Sequence, residues 1–203
     1  MRRKDKEATD PTAIEAVLQA AEWGTLGLAG ADGRPLLVPL NFVYHGGSIY
    51  FHGAHTGEKM QVLGAGGPAT FLVVDAYAQV PSYAFDPVRA CPASQYFKSI
   101  VAYGRVTPVA EPARKAEVLE ALMRKLQPEG GYEPITAESQ TYQAAIQGVA
   151  VLEFAIEHLT AKFGLGQNLK PEVREDAERF LEKRGCPMDL RTLAAMREMH
   201  PEA

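Results

Sequence analysis

The chain has 203 residues, of which 46% are hydrophobic and 23% are charged, a composition typical of one globular domain or one domain with an appended helical segment. The formal net charge of −4 leaves no excess of basic residues for a nucleic-acid partner. No stretch approaches the ~20 apolar residues that span a bilayer, and Cys91 and Cys186 lack disulfide or zinc spacing. We therefore expect a cytoplasmic protein that binds neither membranes nor nucleic acid.

The first predicted element is a helix that begins at Pro11. Asp10 is a good N-cap, and the apolar residues Ile14, Val17 and Leu18 recur at helical spacing. Trp23 follows the helix, and two alternatives stay open for it. We expect it to cap one end of a barrel, and the other possibility is that it stacks on a ligand.

Three strands in a meander are predicted next. Two apolar runs in residues 25–44 flank a Gly-Ala-Asp-Gly turn, and a second turn at residues 45–47 leads into a strand over residues 48–52. Pro39 removes a backbone donor from the second strand, which indicates a bulge or a sheet edge. A fourth strand is expected over residues 69–74.

The rest of the chain predicts two long strands and several helices. Residues 76–94 contain three prolines and are expected to form a loop. Strands are predicted over residues 96–109 and 149–156. Helices are predicted after Pro112, before Gly148 and over residues 171–183 and 188–199. Six strands with few helices between them indicate an antiparallel barrel with peripheral helices, and no G-x-G-x-x-G motif supports a Rossmann site.

Residues 49–63 carry the most informative pattern. A buried strand breaks into a glycine-bearing loop that opens a short helix, with Lys59 in its first turn. Backbone N–H groups at a helix start and a nearby lysine favour a bound phosphate. The alternative is a connecting loop with a solvated lysine.

Together with residues 24–28, 35–44 and 96–105, this segment resembles the FMN-binding split-barrel family related to pyridoxamine 5′-phosphate oxidase, particularly its nitroimidazole-resistance-like branch. The resemblance implies a mainly β (α+β) fold, namely an antiparallel six-stranded split β-barrel of the FMN-binding type. It also implies a split-barrel domain over residues 1–160, a C-terminal helical extension over residues 161–203, and a homodimer that holds FMN at its interface.

The resemblance also assigns cofactor-binding residues. Lys59 would pair with the phosphate, assisted by Gly57 and the N–H groups of Glu58 and Lys59. The family often has Arg or Ser at Glu58, so the Glu58 carboxylate must point away, or the phosphate binds more weakly. His55 would be a further pocket residue. The flavin ring would contact Val38, Pro39, Leu40, Asn41, Phe51, His52 and Ser99.

The segment from Lys162 to Asn168 looks like one found in related PaiB-type proteins, with Gly166 in place of their serine. Two alternatives stay open. Lys162, Gln167 and Asn168 approach the phosphate or close over the pocket, or they cap the helix that begins after Pro171.

Three histidines, His45, His52 and His55, lie close in sequence. No carboxylate or thiol occurs at ligand spacing, so we expect no metal site and a pocket role for His52 or His55. His52 or His55 as an axial haem ligand stays open.

The resemblance implies an FMN-dependent oxidoreductase that passes electrons to a nitroaromatic, a quinone or oxygen, with catalytic residues, electron donor and physiological substrate left open. Pyridoxamine phosphate oxidation itself is not expected, because the chain lacks the basic C-terminal segment of those enzymes. The alternative is a non-catalytic flavin- or haem-binding sensor or regulator of the PaiB-like type.

Overall fold

The computed structural model describes residues 2–30, 32–64 and 66–199. Its strands are β1 (Glu7–Ala8), β2 (Trp23–Ala29), β3 (Pro35–Asn41), β4 (Val43–His45), β5 (Ser48–Gly53), β6 (Gly67–Val80), β7 (Ser94–Pro108) and β8 (Ala150–Gly164). Its helices are α1 (Pro11–Ala20), α2 (Glu58–Leu63), α3 (Pro112–Leu126), α4 (Gln143–Gly148), α5 (Pro171–Arg184) and α6 (Pro187–Glu198). All six correspond to helices expected from the sequence.

The strands form one eight-stranded sheet in the order β3-β2-β6-β7-β8-β5-β4, and β1 pairs with the far end of β8. Five strand pairs are antiparallel, namely β1–β8, β2–β3, β2–β6, β4–β5 and β5–β8. The prediction of a mainly antiparallel split barrel with peripheral helices is confirmed, although two short strands, β1 and β4, bring the six expected strands to eight.

The prediction of a single strand through Tyr44 is wrong. The strand stops at Asn41, and after Phe42 the chain starts β4, which pairs with β5 instead of β2. The two ends of the sheet order are therefore joined by one residue, and the sheet curls back on itself. Phe42 is fully buried. β3 pairs only with β2 among the described strands, which confirms the sheet edge indicated by Pro39.

Two compact units can be distinguished, and each is built from several chain segments. Unit 1 contains the described parts of Met1–Ile14, Val74–Ile100 and Thr160–Ala203, and unit 2 contains Glu15–Val73 and Val101–Leu159. The long strands β6, β7 and β8 contribute residues to each unit. A domain boundary at residue 160 stays a prediction.

The core of unit 2 is centred on Phe71. Its ring packs edge-on against Phe42 at a centroid distance of 5.2 Å, and Phe154 and Phe51 lie at 5.8 and 6.3 Å. Edge-to-face and offset aromatic pairs at such distances add to the free energy gained by burying the rings.

Unit 1 explains two strands that are longer than predicted. Residues 76–80, expected in a loop, belong to β6, because Ala78 and Val80 are buried in the cluster that contains Leu181 and Met196 of the C-terminal helices. β8 runs to Gly164 instead of ending near residue 156, since β1 pairs with its Ala161–Lys162 portion. Both extensions depend on partners distant in sequence.

Candidate functional site

The junction between β5 and α2 places a lysine against the end of the strand. Gly57 precedes the helix with a φ of +108°, a conformation that favours glycine. The Lys59 ammonium lies 5.6 Å from the centroid of the Phe51 ring. A Cβ built on Gly53 would come within 2.8 Å of Lys59 Nζ, so glycine at that position leaves room for the ammonium.

The charge of Lys59 is not neutralised within the described part of the chain. Its side chain is half-buried and forms no salt bridge or hydrogen bond with a described residue. Desolvation lowers the pKa of Lys59, because burial disfavours the charged form. Desolvation, followed by the nearby Lys59 charge, also lowers the pKa of His52. At neutral pH the junction therefore presents an ammonium beside a neutral imidazole, a donor set that suits an anion.

Glu58, the residue that departs from the family pattern, lines another cavity. That cavity has a volume of about 550 Å³ and lies between α2 and the β2–β3 hairpin, where Arg34 and Gln61 also line it. Lys59 is not among its lining residues. Glu58 thus borders a region that already contains a cation.

The other residues expected around the phosphate differ in accessibility. His52, His55 and Gly57 are exposed, whereas Phe51 is only 1% exposed. Phe51 therefore belongs to the core, and its strand position is paired with Leu152 of β8.

The expected ring-binding residues of β3 divide between two faces. Leu40 is buried and Val38 half-buried, while Pro39 is exposed, as the alternation of a strand requires. The Asn41 side-chain nitrogen donates to the Glu22 carbonyl at 3.0 Å. Its amide oxygen remains free of described partners.

Three apolar residues share the outward face of β3-β2-β6, and two of them, Leu37 and Leu72, were not recognised as functional from the sequence. Trp23 lies opposite Asn41, Leu37 opposite Gly27 and Leu72 opposite Thr25, and their exposed fractions are 59%, 65% and 38%. Trp23 lies outside the buried core, and its two alternatives, capping one end of the barrel and stacking on a ligand, stay predictions. Apolar residues at positions that should face water were the available signal, but only the register shows that they share a face.

Ser99 belongs to unit 1, where its hydroxyl donates to the Lys162 carbonyl at 3.4 Å.

The side chain of Gln167 folds back on its own turn. It accepts a hydrogen bond from Leu165 N and donates one to the Phe163 carbonyl. α5 has Lys170 as its N-cap residue, and no hydrogen bond from Gln167 or Asn168 reaches the described start of that helix. The structure therefore does not show Gln167 or Asn168 as a cap of α5.

A larger cavity of about 790 Å³ lies between α3, β4 and the end of α1. His45 Nε2 lies 2.8 Å from Glu117 Oε1 at its edge, so His45 already has a partner. Lys125, a half-buried lysine, also lines this cavity.

Within the residues described, no group of three or more His, Cys, Asp or Glu side chains is placed to hold a metal ion.

The strands β3 and β4 stand at the two ends of the sheet order and are consecutive in sequence. The strand β5, the loop that contains Gly57 and the helix α2 follow them. This arrangement defines a split barrel. The sequence matches the family model described as pyridoxamine 5′-phosphate oxidase over residues 10–163. The chain therefore belongs to this family. Among curated proteins, none matches the sequence significantly.

Three solved structures illustrate the fold. A putative 5-nitroimidazole antibiotic resistance protein from Bacteroides thetaiotaomicron aligns with a TM-score of 0.61 and 22% identity, covering 77% of this chain and 85% of its own. The flavocytochrome Anf3 from Azotobacter vinelandii has a TM-score of 0.67 and 23% identity, with coverages of 87% and 76%. An FAD and heme binding protein from Mycobacterium smegmatis has a TM-score of 0.65 and 19% identity, with coverages of 89% and 80%. At these identities the likeness concerns the fold.

None of the helices in the described ranges is both long and apolar enough to cross a membrane.

Proposed function

We propose that the protein binds FMN and acts as an oxidoreductase that reduces a small acceptor such as a nitroaromatic, a quinone or oxygen. The observation that carries the proposal is the half-buried Lys59 ammonium, which has no carboxylate partner among the described residues. A cation in that state gains free energy when a phosphate group supplies the missing charge. Membership of the pyridoxamine 5′-phosphate oxidase family supports a phosphate-bearing flavin as the ligand.

The remaining residues fit the rest of such a ligand. The β3 edge carries backbone groups that no described strand pairs, and the Asn41 amide oxygen is an additional acceptor. The pyrimidine end of an isoalloxazine needs a mixed set of donors and acceptors. His52, His55 and Gly57 are accessible to the ligand at the β5–α2 junction, and Val38, Pro39 and Leu40 complete the proposed set.

Bound flavin would supply the redox chemistry by accepting a hydride from a reduced donor and passing electrons to the acceptor. The chain's own contribution is binding and orientation. Lys59 neutralises negative charge, and the neutral His52 imidazole can donate or accept one hydrogen bond.

A homodimer is part of the proposal. Trp23, Leu37 and Leu72 share the outward face of the sheet next to the β3 edge. An apolar face of this kind on a two-fold dimer would be buried against its own copy. The flavin proposed at the β3 edge would then lie beside the partner subunit.

The test is a titration of the purified protein with FMN, for wild type, Lys59→Ala and the control Lys183→Ala, whose lysine is exposed at the end of α5. We expect bound-flavin bands near ~375 and ~450 nm in wild type and the control. We expect Lys59→Ala to bind FMN at least about tenfold more weakly, as befits loss of a charge-assisted hydrogen bond. Equal affinity in all three proteins would contradict the assignment of Lys59.

Turnover is tested separately by adding NADH or NADPH to the loaded protein under anaerobic conditions and then a nitroaromatic. Bleaching followed by recovery of the bands would support an oxidoreductase. Binding without bleaching would support a carrier or sensor instead.

A second candidate is a non-catalytic flavin- or haem-binding sensor or regulator of the PaiB-like type. Two of the structures named above support it. Their descriptions name a flavocytochrome and an FAD and heme binding protein. His52 and His55 are exposed and hence available as axial ligands. A Soret band in the same titration set, after addition of haemin, that His52→Ala or His55→Ala removes would favour this candidate.

A further inference from the structure

Unit 1 contains a small polar cavity of about 230 Å³ between the start of β7 and the turn that follows β8. Its lining residues include Lys6, Ser94, Gln95, Tyr96, Gly166 and Asn168. Lys6 is the sole formally charged side chain among the described residues that line it. The cavity therefore has a cationic wall and no carboxylate wall.

The acidic side chains close to Lys6 in sequence are already paired. Asp5 accepts a hydrogen bond from Arg3 Nε at 2.9 Å, and Glu7 accepts one from Lys4 at 2.8 Å. No ion pair within the described ranges involves Lys6. Lys6 therefore has no ion-pair partner among the described residues, and the more distant charge of Asp5 offsets only part of its positive charge.

A second lysine adds to this positive potential. Lys162 lies opposite Glu7 in the β1–β8 ladder, and its ammonium is 5.3 Å from the Phe97 ring centroid. Desolvation, then the charges of Arg3 and Lys162, lower the pKa of Lys6. The attraction of a bound anion would offset both the desolvation penalty and the repulsion.

Neutral groups complete the cavity. The Asn168 amide forms no hydrogen bond with any described residue, so it has two N–H donors to offer. Burial raises the pKa of Tyr96 to about 12, so this phenol adds no negative charge at neutral pH. The Tyr96 hydroxyl is buried and has no described hydrogen-bond partner. Gly166 holds the turn in a left-handed conformation with φ of +83°, where a side chain would be strained.

We propose that this cavity binds a small anion through a phosphate or carboxylate group, with Lys6 supplying the charge and the Asn168 amide a neutral hydrogen bond. Its volume lies below the ~300–1,000 Å³ of typical ligand pockets, so it suits a single anionic group and not a dinucleotide. All of its residues belong to unit 1, whereas Lys59 belongs to unit 2. The inference stands without the FMN proposal.

The experiment uses the full chain carrying Lys59→Ala, so that anion binding at Lys59 does not contribute. Inorganic phosphate and, separately, acetate are titrated while the backbone amide signals of Gly164 and Gly166 are followed by NMR. We expect a saturable shift with at least one of the two anions. Lys6→Gln should weaken binding at least about tenfold and Asn168→Ala several-fold.

The control is Lys183→Gln, which removes an equal charge from the exposed end of α5 and not from the cavity. We expect it to leave binding unchanged. Absence of a saturable shift with both anions, or an equal effect of Lys183→Gln and Lys6→Gln, would overturn the proposal. Should Lys6→Gln fail to fold, comparison of Asn168→Ala with Lys183→Gln decides the question. Saturation by acetate alone would identify a carboxylate ligand, and saturation by phosphate a phosphate ligand.

Discussion

The side chain of Lys125 shows how one residue can join two elements. Its ammonium donates to the Phe42 carbonyl at 3.0 Å and to the Leu18 carbonyl at 3.3 Å. It also lies 4.1 Å from the Phe42 ring centroid. One cation thus holds the last turn of α1 to the residue that separates β3 from β4. Burial lowers the pKa of Lys125 to about 8, so keeping this cation charged carries a free-energy cost.

That cost predicts a pH dependence of stability. With a pKa near 10.5 when unfolded and about 8 when folded, the unfolded chain binds more protons between these values. The free energy of unfolding should therefore rise as pH increases above 8, and the penalty is fully present below pH 8. Between pH 7 and 9.5 we expect a contribution of about 1–2 kcal/mol, allowing for partial exposure.

Urea unfolding of wild type and Lys125→Met at the two pH values measures this contribution. The variant should lack the alkaline rise, although its stability at pH 7 also reflects the two lost hydrogen bonds. Lys115→Met is the control, because Lys115 also lies on α3 and donates to two backbone carbonyls, those of Ile146 and Val149. The same pH dependence in all three proteins would show the assignment to be wrong.

Among the strands, β7 is constrained by one glycine. A Cβ built on Gly104 would lie 1.9 Å from the Ala155 carbonyl oxygen of β8, a contact that only a backbone shift could relieve. Gly27 of β2 differs, since a Cβ there would meet its nearest atoms at 3.5 Å, which is ordinary van der Waals contact.

We expect Gly104→Ala to lower the free energy of unfolding by at least about 3 kcal/mol, while Gly27→Ala changes it by less than about 1 kcal/mol. Thermal and urea unfolding of the two variants provide the comparison. A Gly104→Ala protein as stable as Gly27→Ala would mean that β7 and β8 are not in such close contact.

For the whole molecule, the outward apolar face predicts self-association. Leu37→Asp places a carboxylate on that face, where burial against a second copy would cost its desolvation. Light scattering after gel filtration should give a dimer mass for wild type and a monomer mass for the variant. The control is Leu190→Asp on α6, where the leucine is 58% exposed; this variant should remain dimeric. A monomeric wild type, or a dimeric Leu37→Asp, would argue against this interface.

The sequence predicts elements well where the signal is local. Residues 11–20 show helical periodicity and a proline start, and the β5–α2 junction is marked by a strand, a glycine and a lysine. The errors concern pairing between distant segments. Nothing near Phe42 shows that the next residues pair with β5, and the extension of β6 to Val80 depends on helices that begin about 90 residues later.

The candidate site was predictable to a similar extent. The position of Lys59 after a strand follows from the sequence, but its lack of an acidic partner depends on where the described carboxylates lie. The resemblance assigns Phe51 to the flavin, whereas its ring packs on the Phe71 ring at a centroid distance of 6.3 Å. The alternation of side chains along a strand shows that neighbouring residues face opposite sides of the sheet. Only the sheet register shows which of the two sides is buried.

Unit 1 is assembled from three separated stretches of chain, with stretches of unit 2 between them. A single exchange point between genes could not separate the two units, because every such point divides unit 1. The helices α5 and α6 share a buried cluster with Tyr77, Tyr96 and Leu165, so their inheritance is tied to that of β6 and β7. Variation in this protein's lineage should therefore arise by substitution and by changes in loop length more readily than by exchange of modules.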